Sequence, residues 1–146
     1  VNTSLVYDLS RVLPFVQQHS PGLHETGDMV AIGLERDGEL VAGVLYEGFS
    51  GANVWMHVAA QPGARWMIRA YLKACFAYPF GVCKVNRVSG YVNESNRAAR
   101  RFDEHLGFKE EARLKGAAPD GGDVIVYVMW RKDCRFLNKE NYVDHQ

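Results

Sequence analysis

The sequence predicts a single α/β domain: a mixed, mostly antiparallel sheet containing one parallel pair of strands, with helices flanking it. Three observations carry that reading. Two apolar runs, Met29 to Arg36 and Glu39 to Phe49, flank Asp37-Gly38, a dipeptide that supplies the positive φ angles of a tight hairpin. Two further strand-like runs, Val54 to Ala59 and Arg87 to Val92, are separated by a helical stretch, which makes them a right-handed parallel crossover. A short amphipathic helix stopped by Gly107 then leads to two last strands, Phe108 to Leu114 and Val124 to Arg131. The 146 residues suffice for one core without metal or disulfide, since a chain of about this size buries roughly 68–70% of its unfolded surface.

Each element has a local cause. Leu9, Val12, Leu13 and Val16 fall at helical spacing behind Asp8, a capping residue, with Pro14 expected to kink the helix or start a fresh turn. His19 to Asp28, with Pro21, Gly22 and Gly27, reads as a loop before the hairpin. Alternation along Val54 to Ala59 sets Trp55, His57 and Ala59 on one face and Val54, Met56 and Val58 on the other. Gln61-Pro62-Gly63 turns the chain into a helix over Arg65 to Tyr78, whose charges, Arg65, Arg69 and Lys73, are spaced by four along one edge. Tyr78-Pro79-Phe80-Gly81 ends that helix. Asn93-Glu94-Ser95-Asn96 offers caps for the next, which carries Ala99, Phe102 and Leu106 on one face. The domain is expected to span residues 1–137, with a C-terminal tail over 138–146.

Composition narrows the partners. Seventeen Lys plus Arg balance seventeen Asp plus Glu, so the chain lacks the electrostatic footprint of a dedicated nucleic-acid binder. Arg97, Arg100 and Arg101 cluster without a stacking motif and are expected to pair with Asp103 and Glu104 or to be solvated. The nearly apolar stretch from Trp66 to Phe80 is interrupted by Arg69, Lys73 and Pro79, which argues against a membrane span. The start V-N-T-S-L-V-Y-D has no signal-peptide pattern, and Cys75, Cys83 and Cys134 show no metal-ligand spacing. We therefore expect a cytoplasmic protein with reduced thiols and no metal.

The string V-N-E-S-N-R-A-A-R-R-F-D-E-H-L-G-F, Val92 to Phe108, resembles the late strand and helix of the GNAT acetyltransferase superfamily through Val92, Asn96, Ala99, Gly107 and Phe108. The order of elements is similar over nearly the whole chain. From Tyr78 onward, the Asp120-Gly121-Gly122-Asp123 stretch and Cys134-Arg135 also look like a short, phage- or prophage-associated subset. The resemblance implies that acetyl-CoA lies where Val54–Ala59 and Arg87–Val92 splay apart, and that a primary amine, on a small molecule or a protein, attacks its thioester directly. It also makes a homodimer reasonable, with an exposed final strand, Val124 to Arg131, as one of several contacts.

The candidate site residues follow. A backbone N–H near Val58 would polarise the thioester carbonyl. The loop holding Gln61, Gly63 and Ala64 is expected to open the helix, so that free N–H groups meet pyrophosphate, although the family's usual two glycines are here reduced to Gly63. Arg65, Asn96 and Arg97 are further cofactor candidates; Asn96 equally explains itself as a cap, and the arginines as solvated charges. His57 is the candidate base, with a structural histidine as the bland alternative. Many family members place a tyrosine acid seven residues after the helix Asn, where this chain has Asp103, expected to be ionised; water or Tyr127 would then serve the departing sulfur. These departures keep a second reading open, a non-catalytic CoA-binding or regulatory module of the same fold.

Overall fold

The computed structural model describes residues 2–137, so the tail expected over 138–146 lies outside the described residues. Along the chain run β1 (Thr3–Val6), α1 (Leu9–His19), β2 (Val30–Arg36), β3 (Glu39–Glu47), β4 (Asn53–Ala60), α2 (Arg69–Ala77), β5 (Arg87–Asn93), α3 (Arg97–Leu106), β6 (Lys109–Leu114) and β7 (Val124–Trp130). The strands form one seven-stranded sheet in the order β1-β2-β3-β4-β5-β7-β6. Every neighbouring pair is antiparallel except β4 and β5. This is the mixed sheet the sequence predicts, with β1 added at one border. Among the described residues, no helix is long and apolar enough to cross a membrane.

The first face of the sheet is covered by α1. Asp8 caps this helix by accepting a hydrogen bond from the Ser10 N–H at 3.1 Å, and the helix continues through Pro14 to His19. Its buried side, Val12, Leu13, Phe15 and Val16, lies over a patch that β2 and β3 leave bare, because Gly33 and Gly43 pair with each other. A Cβ on Gly43 would stand 2.9 Å from Val12 and 3.0 Å from Val16. Gly43→Ala is therefore expected to destabilise the protein by about 1–3 kcal/mol through overpacking, read as a lower urea midpoint with an unchanged slope.

The second face carries α2 and α3 and the larger core. Two buried phenols tie α2 down: Tyr71 donates to the Ile32 carbonyl at 2.9 Å, and Tyr46 donates to the Cys75 carbonyl at 2.5 Å. The helix begins at Arg69, four residues later than the apolar pattern predicts, because Trp66 leaves the helical path to pack against Tyr71 and Phe102. Tyr78–Val82 does not end the helix abruptly; it widens into one π-helical turn, whose Phe80 carbonyl and the following Val85 carbonyl both accept from the Arg131 guanidinium.

Strands β4 and β5 pair only through Asn53–Arg87, Val54–Val88 and Trp55–Ser89. Beyond those residues they separate. On the far side of β5, β7 is interior, flanked by β5 and β6, so the expectation of an exposed final strand is corrected: the hairpin folds back and makes β6 the border. Every residue of β6 is exposed, its register shifts between Glu110 and Ala112, and Arg113 pairs with Glu110 and Glu94 while Glu111 pairs with Arg87.

Candidate active site

The gap between β4 and β5 is where the sheet leaves hydrogen-bonding capacity unspent. The bond from the Gln61 N–H to the Val41 carbonyl, 2.9 Å, extends the β3–β4 ladder, so residues 55, 57 and 59 turn their backbone groups toward β3. Met56, Val58 and Ala60 turn theirs toward β5, as does Ala52, whose carbonyl accepts from Arg87. Past Trp55 no β5 residue pairs with them, and the Val58 N–H points into the gap.

The side chains at the mouth of the gap, on the face that α1 covers elsewhere, form a compact polar and aromatic group. His57 Nε2 lies 2.6 Å from Glu47 Oε2. Register places Leu45 opposite His57 and Glu47 opposite Trp55, so Glu47 reaches His57 as its diagonal neighbour on one face. Tyr91, the second β5 residue beyond the last pair, sets its ring edge-on to both His57 and Trp55, with centroids 5.3 and 5.9 Å away.

Burial holds the His57 imidazole below its ordinary pKa, and the Glu47 carboxylate only partly restores it. The ring is therefore neutral at pH 7. Hydrogen bonding assigns the tautomer: Nε2–H donates to Glu47, which leaves the lone pair on Nδ1. Nδ1 accepts no hydrogen bond among the described residues. A neutral imidazole with one nitrogen fixed by a carboxylate and the other free is the arrangement a general base requires. Burial and the Glu47 charge raise the Tyr91 hydroxyl pKa, keeping it protonated.

The other candidates divide into three places. Gln61, Gly63 and Ala64 form a tight turn, closed by the Ala64 N–H on the Gln61 carbonyl at 3.1 Å, with Gly63 at φ 77°. Residues 64–68 separate this turn from α2, so the expectation that it crowns the helix is corrected; Gly63 is needed for its positive φ. Arg65 has an exposed side chain and a carbonyl that accepts from Arg36 at 2.6 Å. Asn96 caps α3 through its Oδ1, bonded to the Ala99 N–H at 3.1 Å, and Arg97 is exposed beside it. The turn after β4 and the cap after β5 nevertheless share one end of the sheet, because the strands are parallel, and they stand at the open end of the gap.

Tyr127 is on the opposite face from His57, 1% exposed beneath α3, with its hydroxyl donated to Glu104 at 2.8 Å. Asp103 departs from expectation. Phe102 reaches Trp66 on the β4 side and Glu104 reaches Tyr127 on the β7 side, so Asp103 between them turns inward over β5. It is 7% exposed, and burial, with the adjacent Glu104 charge, pushes its pKa up to about 7. The predicted pairing with Arg100 is absent as well: that guanidinium donates to the Glu94 carbonyl at 3.1 Å.

Glu47 and Tyr91 were not legible as site residues. The only signal for Glu47 is an acid at the end of an apolar strand, and its partner emerges only once β3 and β4 are paired in register.

No protein-family model matches this chain, and no curated protein matches its sequence. Solved structures do match it in shape. A spermidine N-acetyltransferase SpeG variant from Vibrio cholerae superposes with a TM-score of 0.73 at 12% identity, over 94% of this chain and 98% of that one. The dodecameric spermidine N-acetyltransferase structure from the same organism gives a TM-score of 0.68 at 14% identity, over 88% and 93% of the two chains. The Campylobacter jejuni N-acetyltransferase PseH gives 0.62 at 13% identity, over 88% and 97%. At such identities the likeness is one of architecture: this chain has the GNAT acetyltransferase fold.

Proposed function

We propose that this protein transfers the acetyl group of acetyl-CoA to a primary amine by direct attack. The observation that carries the reading is the Glu47–His57 pair, set where β4 and β5 separate, beside an amide that points into the gap. Acetyl-CoA supplies the activated acyl group. The Val58 N–H holds the carbonyl oxygen, His57 Nδ1 takes the proton lost by the amine, and Glu47 keeps the ring in the required tautomer. The departing thiol, of ordinary pKa about 8.5, needs little assistance near neutral pH. No acyl-cysteine step is invoked: Cys75 is buried, and burial raises its thiol pKa to about 12. The turn at Gln61, Gly63 and Ala64, together with Arg65, Asn96 and Arg97, stands where the phosphate-bearing arm would leave the gap.

Calorimetric titration with acetyl-CoA is expected to show binding, and saturating ligand is expected to raise the melting temperature. Folded protein that binds no acetyl-CoA at millimolar concentration would refute the reading.

One observation favours the second reading, a non-catalytic module. On the face opposite His57, the buried Trp66 ring meets Phe102 edge-on at 5.4 Å, joining the β4 side of the gap to α3. If that contact closes the gap permanently, Trp66→Ala will bind acetyl-CoA and the parent protein will not.

A further inference from the structure

His57 stands on β4 where that strand has lost its β5 partner, yet its side chain is only 9% exposed. Glu47 covers it from β3. The cover on the β5 side comes from across the gap. Tyr91 lies two residues past Ser89, the last β5 residue paired with β4. Its ring meets the imidazole with the planes 80° apart and Trp55 with the planes 64° apart. Tyr91 is itself 48% exposed, so it lies over His57 as an outer wall and is not part of a core.

The ring and the hydroxyl of Tyr91 can be told apart. Among the described residues the hydroxyl makes no hydrogen bond, so the contacts with the site are those of the ring. The hydroxyl also stays protonated over the range in which an imidazole titrates, because burial and the Glu47 charge raise its pKa. Other groups facing His57 add no charge: α1 turns Val12, Leu13, Phe15 and Val16 toward the sheet, and Glu47 is the charged neighbour.

A single hydrogen bond from Nε2 does not fix an imidazole. The torsion at the ring of a histidine is broad, and turning about it would swing the Nδ1 lone pair away while Nε2 stayed near its acceptor. A second ring, edge-on and in contact, blocks that turn and displaces water from the same side. We propose that Tyr91 is a positioning residue for His57: its ring sets the plane of the imidazole, and so the direction of the Nδ1 lone pair, and keeps water from the His57–Glu47 pair. Its use in catalysis rests on the acetyl-transfer reading; the hold on the imidazole does not.

The test compares Tyr91→Leu, which removes the ring, with Tyr91→Phe, which removes only the hydroxyl. Nitrogen-15 NMR follows the two ring nitrogens of His57 through a pH titration of the full chain without cofactor, and thermal melts establish that each variant is folded. Tyr91→Met, also without a ring, replaces Tyr91→Leu if the latter does not fold. The parent is expected to show one neutral tautomer, protonated on Nε2. Tyr91→Leu is expected to raise the His57 pKa by about 0.5 or more, because water returns to the imidazole and relieves the desolvation that depresses it. It is also expected to average the signals of the two neutral tautomers. Tyr91→Phe is expected to keep the parent tautomer and to leave the pKa within about 0.2 of the parent value. An unmoved His57 pKa in Tyr91→Leu, or equal effects of Tyr91→Leu and Tyr91→Phe, overturns the proposal. Acetyl-CoA is titrated into the parent in parallel. If acetyl-CoA binds and Tyr91→Leu leaves His57 unmoved, the Tyr91 proposal falls alone. If His57 responds as expected and acetyl-CoA does not bind, acetyl transfer falls and the hold of Tyr91 on His57 stands.

Discussion

Asp103→Asn is expected to stabilise the protein by about 2–4 kcal/mol at pH 8 and to leave it nearly unchanged at pH 4. In the unfolded chain this carboxyl ionises near its ordinary value, whereas in the fold burial and Glu104 raise its pKa to about 7. Between those two values the folded state holds a proton that the unfolded state has released, so the Asp103 contribution to stability declines as pH rises through this window. Above it both states are ionised, and the cost of a buried carboxylate is felt in full. The amide carries no such cost. Melting curves at the two pH values should differ accordingly, with a gain of roughly 5–10 °C for the variant at pH 8 alone. An equal shift at both pH values would mean that packing, not titration, is responsible. The same burial reverses the sequence-based expectation for this residue, since a carboxyl with a pKa of about 7 still carries a proton in a large fraction of molecules at neutral pH.

The error over Asp103 shows where the sequence stops being readable. Its position on α3 follows from the helical period, and Asn96 and Gly107, with its φ of 112°, mark both ends of that helix as the sequence predicts. Whether a given face is buried depends on what the neighbouring elements do, and here Phe102 against Trp66 and Glu104 against Tyr127 anchor α3 on either side of Asp103. The hairpin was legible for a purely local reason: Asp37 and Gly38 take φ angles of 52° and 88°, as their types favour. Strand β1 was not, because four residues without alternation gain their structure only from pairing with β2. The start of α2 was misplaced because Trp66, Met67 and Ile68 continue the apolar pattern of the helix, although a tertiary contact draws Trp66 elsewhere. In the site, His57 was visible on its own strand, whereas Glu47 depends on inter-strand register.

His57→Ala is expected to lower turnover of acetyl-CoA with an accepted amine by about 10²–10⁴-fold, the range of a positioned general base. The parent protein should lose activity as pH falls through the His57 pKa, which burial places below the ordinary 6.5. That limb should vanish in the alanine variant. Glu47→Gln should retain the base but free its tautomer, giving a smaller loss and a limb at a still lower pH, because the carboxylate that raises the His57 pKa is gone. A pH–rate profile that His57→Ala leaves unchanged would remove His57 from the mechanism. Stability adds a check with its own sign: a histidine whose folded pKa is depressed loses its contribution to stability on acidification, so the parent should weaken faster than His57→Ala below about pH 6.

The outermost strand, β6, has a consequence for how these molecules meet each other. Four of its six exposed residues, Lys109, Glu110, Glu111 and Arg113, are charged, the last three held in ion pairs, and its backbone steps out of register between Glu110 and Ala112. Another copy approaching along that border would have to dismantle the bonds and flatten the step before a single ladder rung could form. The strand thus acts as an electrical and geometric insulator. It guards one of the two borders of the sheet against edge-to-edge growth, the other being the four-residue β1.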